Sequence, residues 1–453
     1  MSLKRILTII GSIILGLFFS VSVFAQAPDS TVQGDDPFKR DPYFTKPLPE
    51  LLRTPPQNWP EDNITESVTR LSTEGIDGSG VYQAPLIYQQ YPVLPANHFN
   101  RVDGLTLGFR KDRMKWFRDD WFLDIPQINL TGTAAYSFGI DEWQYSLGLE
   151  RRMGRKKHFV LGGEFHDATT TDDFWRVGIN ETTLTALGTS HDFLDYYNQQ
   201  GFGVYAAYRT DRLFEFSLSY NNDDYDNVQQ NTEFSFFGKD KNLRANQIVD
   251  STEIESIAMG VSFNPKRVIM SDFFTFSADF FAEFADLNGF NNDFAFNKYE
   301  TETKLFFKID QNTNLNLRFK TGSITGHAPI QRLYELGGIG SLRARPFKAF
   351  AGNNQMLLAN TELQFGRPDH HTGWLDLSSF YLSLFLDSGW THFDEDQQNR
   401  NNPFKGYNDF SFDDVENDFG IGVGSNLFRF EIAWQADNLD KAPALWLRFN
   451  PTF

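Results

Sequence analysis

One arginine and two carboxylates are the residues whose types and spacing promise specific chemistry: Arg343 in ELGGIGSLRARPF, Glu362 in NTELQF and Asp387 in FYLSLFLDSGW. A guanidinium is a planar fork of donors that stays charged, and a carboxylate can take it through two parallel, charge-assisted hydrogen bonds. That is the chemistry of a fastening, not of a reaction centre. Around Arg343, the glycines Gly337, Gly338 and Gly340 allow a backbone to fold back against a wall where side chains would collide. The plain alternative is a solvated loop carrying an unpaired arginine.

Other candidates for chemistry are weaker. The chain has no cysteine, which removes disulfides, thiolate metal sites, cysteine nucleophiles and a lipid-anchoring cysteine together. His370 and His371 are adjacent in GRPDHHTGW, where consecutive side chains diverge, so they read as a solvated turn and not as a metal or catalytic pair. A lipase-like serine–histidine site would need both residues on strands and facing lipid together. GIGVG at 420–424 puts glycine on one face of a strand and marks close packing, not a phosphate cradle. The acidic runs NNDDYDN, FDEDQQ and SFDDVEND lack the spacing of a calcium loop. A net charge of -18 disfavours a basic surface for gripping nucleic acid, and no nucleic-acid partner is expected. No enzyme activity, cofactor or metal is expected.

The elements that must position the three charged residues are strands. In QMLLANTELQFG, period two sets Asn360, Glu362 and Gln364 on one face and Leu357, Leu363 and Phe365 on the other. In the next segment Tyr381, Ser383, Phe385 and Asp387 alternate with Leu382, Leu384 and Leu386. The same alternation starts at NRVDGLTLGF and recurs to the end of the chain, as in Ile128–Phe138, Trp143–Leu149, Phe202–Tyr208, Phe214–Tyr220, Ile257–Phe263, Leu305–Ile309 and Phe428–Trp434. Composition agrees: 16% of residues are aromatic, 47 of them Phe, yet mean hydropathy is -0.42, as in chains of half-apolar strands and unlike helical membrane proteins. A soluble sandwich would also alternate, but over a dry aliphatic core; here the apolar face leans on Phe, Tyr and Trp near strand ends.

The fold expected is therefore all-β, a transmembrane antiparallel β-barrel of about 16 strands. Fifteen are visible, and the sixteenth is expected in 111–122 or within 168–200, where ETTLTALG at 181–188 could equally be a short loop helix. Long polar connections near 223–250, 323–354 and 391–417 are expected outside the cell, and short ones such as IDQNTN and YRTDRL in the periplasm.

Ahead of the barrel, Lys4 and Arg5, an apolar run to about Phe24, and small residues ending at Ala25 read as a secretory signal peptide, 1–25, the alternative being an uncleaved anchor helix. Residues 26–96 hold 11 of the 19 prolines and read as an extended periplasmic segment, with one short helix near Ile64–Leu71. The barrel is expected over 97–453.

Taken together, these segments resemble the BamA/TamA-type barrels, the bacterial surface antigens, and their two-partner-secretion relatives. NRVDGLTLG is similar to the first barrel strand of that family; LGGIGSLRAR is similar to its inward-folded sixth loop, whose motif is Leu-Gly-Gly…Val-Arg-Gly-Phe/Tyr; NTELQF and the Phe-x-Asp-x-Gly set Phe385, Asp387 and Gly389 match the two strands that follow. Aromatic Phe453 at the C-terminus resembles the recognition signal of outer-membrane barrels. The resemblance implies that Arg343 is the loop-tip arginine, held inside the barrel by Glu362 and Asp387, and that the seam between first and last strands opens laterally. It implies a place in the bacterial outer membrane, contact with its lipid, and insertion or translocation of unfolded outer-membrane or secreted polypeptides. The chain departs from the pattern at Ala344 and Arg345, where the family has glycine and an aromatic. Nor does 26–96 read as one of the family's β-α-α-β-β periplasmic domains, so a separate periplasmic partner is implied. The other expectation is a passive channel or surface-binding barrel that keeps the fold alone.

Overall fold

The computed structural model describes residues 94, 96–111, 128–153, 159–210, 213–237, 243–265, 273–290, 292–366, 380–396, 402–425 and 428–449. The chain divides into Met1–Asn63 and Ile64–Phe453, and every described residue belongs to the second unit. The signal-peptide reading, the helix near Ile64, His370, His371 and Phe453 lie outside the described residues.

Sixteen strands form one antiparallel sheet in sequence order. They are β1 (His98–Asn100), β2 (Gly104–Lys111), β3 (Ile128–Ser137), β4 (Glu142–Met153), β5 (Phe159–Thr170), β6 (Tyr197–Thr210), β7 (Phe214–Asn227) and β8 (Thr252–Phe263), then β9 (Phe274–Phe284), β10 (Phe296–Lys308) and β11 (Thr313–Gly326). A two-stranded hairpin, β12 (Tyr334–Leu336) with β13 (Phe350–Asn353), interrupts the series. The sheet resumes with β14 (Gln355–Phe365), β15 (Tyr381–His392), β16 (Glu416–Gly424), β17 (Phe428–Gln435) and β18 (Ala444–Phe449). Among the described residues one α-helix, α1 (Ile179–Thr189), stands between β5 and β6. Its residues touch β1 at one edge of the sheet and β18 at the other. A sheet whose two edges meet the same helix has curled round into a barrel.

The barrel is inside out relative to a water-soluble protein. Its outward face carries Leu107 and Phe109 on β2, Leu147 and Leu149 on β4, Phe216 and Leu218 on β7, Leu382 and Leu384 on β15, and Ile421 and Val423 on β16, all exposed. Their inward neighbours are polar and buried: Glu150, Gln199, Arg209, Glu215, Lys298, Glu300, Arg318, Lys320 and Glu362. Only a hydrocarbon surround makes that arrangement favourable, because exposed apolar area costs roughly 25 cal/mol per Å² in water. At one end of the barrel Phe214, Phe263, Phe276, Phe274 and Phe307 touch in series across β7 to β10, with ring centroids 4.8–5.6 Å apart, an arc of the aromatic girdle that marks a membrane interface.

The four longest connections, 171–196, 228–251, 327–354 and 393–415, leave the opposite end. The sixteenth strand of the sheet is β1, and 168–200 adds none beyond the ends of β5 and β6; three residues are too few for any period to register. Residues 112–122 lie outside the described residues. The apolar–Thr run at 179–189 is helical, and β10 begins at Phe296 instead of Leu305, because its first half alternates charged Lys298, Glu300, Glu302 and Lys304 inward with Tyr and Thr outward and so lacks an apolar face.

Candidate functional site

The connection between β11 and β14 turns back into the barrel. Tyr334, Leu336 and Leu342 join an interior cluster with Tyr197, Tyr225, Ile254, Phe296, Ile324, Met356 and Leu358. Beyond it the chain needs left-handed backbone at Gly337 (φ +115°), Gly338 (φ +83°) and Gly340 (φ +75°), a region that costs other residues about 1–2 kcal/mol. At Gly340 space matters as much as torsion. An added Cβ would lie 2.2 Å from the Arg176 carbonyl oxygen.

Arg176 comes from the loop between β5 and β6 and grips the same turn. Its Nη1 donates to the carbonyl of Gly337 (3.3 Å) and to Ser341 Oγ (3.2 Å), and Nη2 to the Glu335 carbonyl. Its guanidinium lies 4.3 Å from the Trp175 ring centroid. A buried ammonium, Lys348, adds ion pairs to Asp173 and Asp195 (both 2.9 Å) and to Glu335 (2.5 Å). Burial raises the pKa of Asp195, but Lys348, Arg244 and Arg101 outweigh it and bring the value down to about 2. Two loops are thus knotted together inside one end of the barrel.

The turn delivers Arg343 to the wall. Its Nε donates to Asp387 Oδ2 (2.7 Å) and its Nη2 to Asp387 Oδ1 (2.8 Å), a bidentate pair, while its backbone N–H also faces Oδ2 at 3.3 Å. Nη1 donates to Glu431 Oε1 on β17 at 3.0 Å. The guanidinium lies 3.5 Å from the Phe385 ring centroid. Burial opposes its charge, yet Asp387, Glu431 and Glu362 together keep its pKa above the ordinary arginine value. Three alternate positions of β15 therefore divide the work. Phe385 supplies a ring face, Asp387 the carboxylate, and Gly389 bare backbone against which Leu336 and Leu342 press, since a Cβ there would fall 2.8 Å from Leu336 Cδ1.

Glu362 takes part in holding the arginine, as an ion pair and not as a hydrogen-bonded partner. It stands 3.7 Å from Arg343 Nη1, whereas Arg429 Nη1 donates to its Oε1 at 2.6 Å. Gly422 explains the exchange: it has no side chain, and its Cβ direction meets Arg429 Cδ at 3.3 Å, so Arg429 passes over it toward β14. Arg429 also pairs with Glu431 at 2.5 Å. Gly420 similarly clears room for Phe385, whose Cζ would be 2.3 Å from an added Cβ. The GIGVG segment is a close-packing face.

Residues that sequence reasoning missed complete the network. Asp418 stands opposite Asp387 in the β15–β16 register, and two facing carboxylates repel. The loop resolves this from inside: the Ala344 N–H donates to Asp418 Oδ2 (2.8 Å) and Arg345 Nε to Oδ1 (3.2 Å). Arg345, where the family has an aromatic, reaches on to Glu416 (2.6 Å) and Asp437. Gln435 and Trp446 donate to the carbonyls of Ala344 (2.9 Å) and Arg343 (2.8 Å). Such an array binds and rigidifies. Among the described residues no group of acids and histidines is placed to hold a metal ion.

Fold and site together define a class: a sixteen-stranded membrane barrel whose long loop is fastened inside it by a buried arginine. Among solved structures, the chain is similar to the crystal structure of BamA from Haemophilus ducreyi lacking POTRA domains 1-3, at 14% identity and a TM-score of 0.48, covering 78% of this chain and 68% of that one. It is also similar to CdiB from Acinetobacter baumannii (10% identity, TM-score 0.39, 71% and 52% covered) and to CdiB from Escherichia coli (12%, 0.36, 71% and 55%). The chain spans about half the length of the two CdiB structures. No family model and no curated protein matches it.

Proposed function

We propose that the protein is a non-enzymatic barrel of the bacterial outer membrane that inserts outer-membrane proteins or translocates polypeptides, working at the seam between β1 and β18. The observation that carries this reading is the weakness of that seam. Among the described residues β1 has three residues and β18 six, against 8 to 14 in the other strands of the sheet, and neither edge is the other's hydrogen-bonded partner. Short edges with spare backbone groups are templates for a strand from another chain. The Arg343 network favours the same reading, because it stiffens β14 to β17 and leaves the seam as the part free to yield. The motif resemblance in Phe385, Asp387 and Gly389 adds to it. Clients would be unfolded polypeptides, brought by a separate periplasmic partner, with membrane lipid around the apolar belt.

The competing reading, a passive channel, is opposed by the lumen contents: Leu336, Ile339, Ser341 and Leu342 of the loop are all buried. Purified protein in liposomes should make an added unfolded barrel client fold several-fold faster than protein-free liposomes do. Steady ion conductance without that acceleration would replace this reading with the channel.

A further inference from the structure

We infer that α1 is a latch on the seam, occupying in the resting barrel the edge groups that an incoming strand would use. The inference rests on the polypeptide-handling reading above and adds to it the element that keeps the edges shut. On one side, Arg448 of β18 donates from Nε to Glu181 Oε1 (2.7 Å) and from Nη2 to Oε2 (3.2 Å), and the backbone N–H of Phe449 donates to Oε1 as well (3.1 Å). On the other, the backbone N–H of Phe99 on β1 donates to Thr183 Oγ1 at 3.2 Å. Two main-chain donors, one from each edge, therefore end on side chains two residues apart in a single helix. Covering an edge with a helix is one way sheets avoid pairing with other chains.

The helix is built to leave. Its sequence INETTLTALGT holds four threonines and a glycine, poor helix formers, and its N-cap Gly178 gives no side-chain hydrogen bond. Eleven residues of that composition do not persist as a helix in water, so α1 exists by packing. Ile179 joins Val102, Val177, Leu194, Tyr196 and Ile339, with Phe193 and Trp446 at the margin. Ile339 belongs to the inward loop and Trp446 to β18, so the latch touches both the seam and the Arg343 turn. Nothing covalent holds it, since the chain has no cysteine.

That lack of cysteine makes the test direct. Thr183→Val removes the acceptor of the Phe99 N–H and keeps the side-chain shape, and Glu181→Gln weakens the hold on Arg448. In barrels that still show the heat-dependent gel shift of a folded barrel, hydrogen exchange at β1 should quicken about tenfold in the first variant, and at β18 in the second, as loss of one hydrogen bond that is at least partly buried implies. Unchanged exchange at both edges would overturn the latch. A third form, E181C with R448C joined by a short bis-methanethiosulfonate, which forms a disulfide with each thiol and releases methanesulfinate, should fold clients at least tenfold more slowly than before joining and recover when the disulfides are reduced. Full activity while joined would also overturn it. Absence of client folding in the wild type would sink the functional reading alone, because the exchange measurement needs no client.

Discussion

Replacing Arg343 by glutamine should lower the temperature at which the barrel loses its compact, fast-migrating gel form, with a loss of stability of about 3–5 kcal/mol. The magnitude follows from what stays behind. Asp387 and Glu431 are fully buried and lose a partner at 2.7 and 3.0 Å, and Asp387 still faces Asp418 across the strand pair. Arg429 alone cannot neutralise Glu362, Glu431 and Asp387. Lysine at 343 should rescue little, since one ammonium cannot supply the fork that meets both oxygens of Asp387 and also Glu431. Arg345 offers a contrast within the same loop: two of its three partners, Glu416 and Asp437, are about a third exposed (34% and 29%), where an ion pair is worth little.

The second large effect is expected at Gly340. Valine there should drive the turn out of the lumen, so that added protease cuts the 335–347 segment in intact membranes while the wild-type loop survives. A β-branched side chain at φ +75° is strained by torsion alone, and its Cβ would sit 2.2 Å from the Arg176 carbonyl oxygen and 2.6 Å from Arg176 Cα. These are backbone atoms, held in place by the Trp175 stack and the Lys348 pairs, and they cannot step aside cheaply. Gly188 is the matched control. It has nothing within 4 Å of its Cβ direction, so Gly188→Ala should leave the loop protected and support α1 by about 1 kcal/mol.

Period two was enough to place the wall. Asn360, Glu362, Ser383, Phe385 and Asp387 are buried, while Leu382, Leu384 and Phe365 are exposed, as alternation along each strand requires. What alternation cannot give is which inward charges meet, because that depends on curvature bringing β17 beside the returning loop. Glu431 and Arg429 alternate with Phe428, Phe430 and Ile432 in FRFEIAW, so their inward face was legible; their partners were not. Glu362 reads as a partner of Arg343 from its motif and stands 3.7 Å from it; only the bare position at Gly422 shows why Arg429 makes the shorter bond. The helix was ambiguous for a physical reason: four threonines and an isoleucine among eleven residues suit a strand, and packing of Ile179 against the loop interior decides for helix. The three-residue β1 left no pattern to read.

The loop is fastened to the wall through Arg343 and Asp387. A double-mutant cycle with Arg343→Gln, Asp387→Asn and the pair, read from denaturant unfolding of the barrel in detergent, measures that fastening directly. The geometry predicts single-variant losses that fail to add, with a coupling of about 1–3 kcal/mol. Losses that add to within about 0.5 kcal/mol would contradict it and put Arg343 back in solvent.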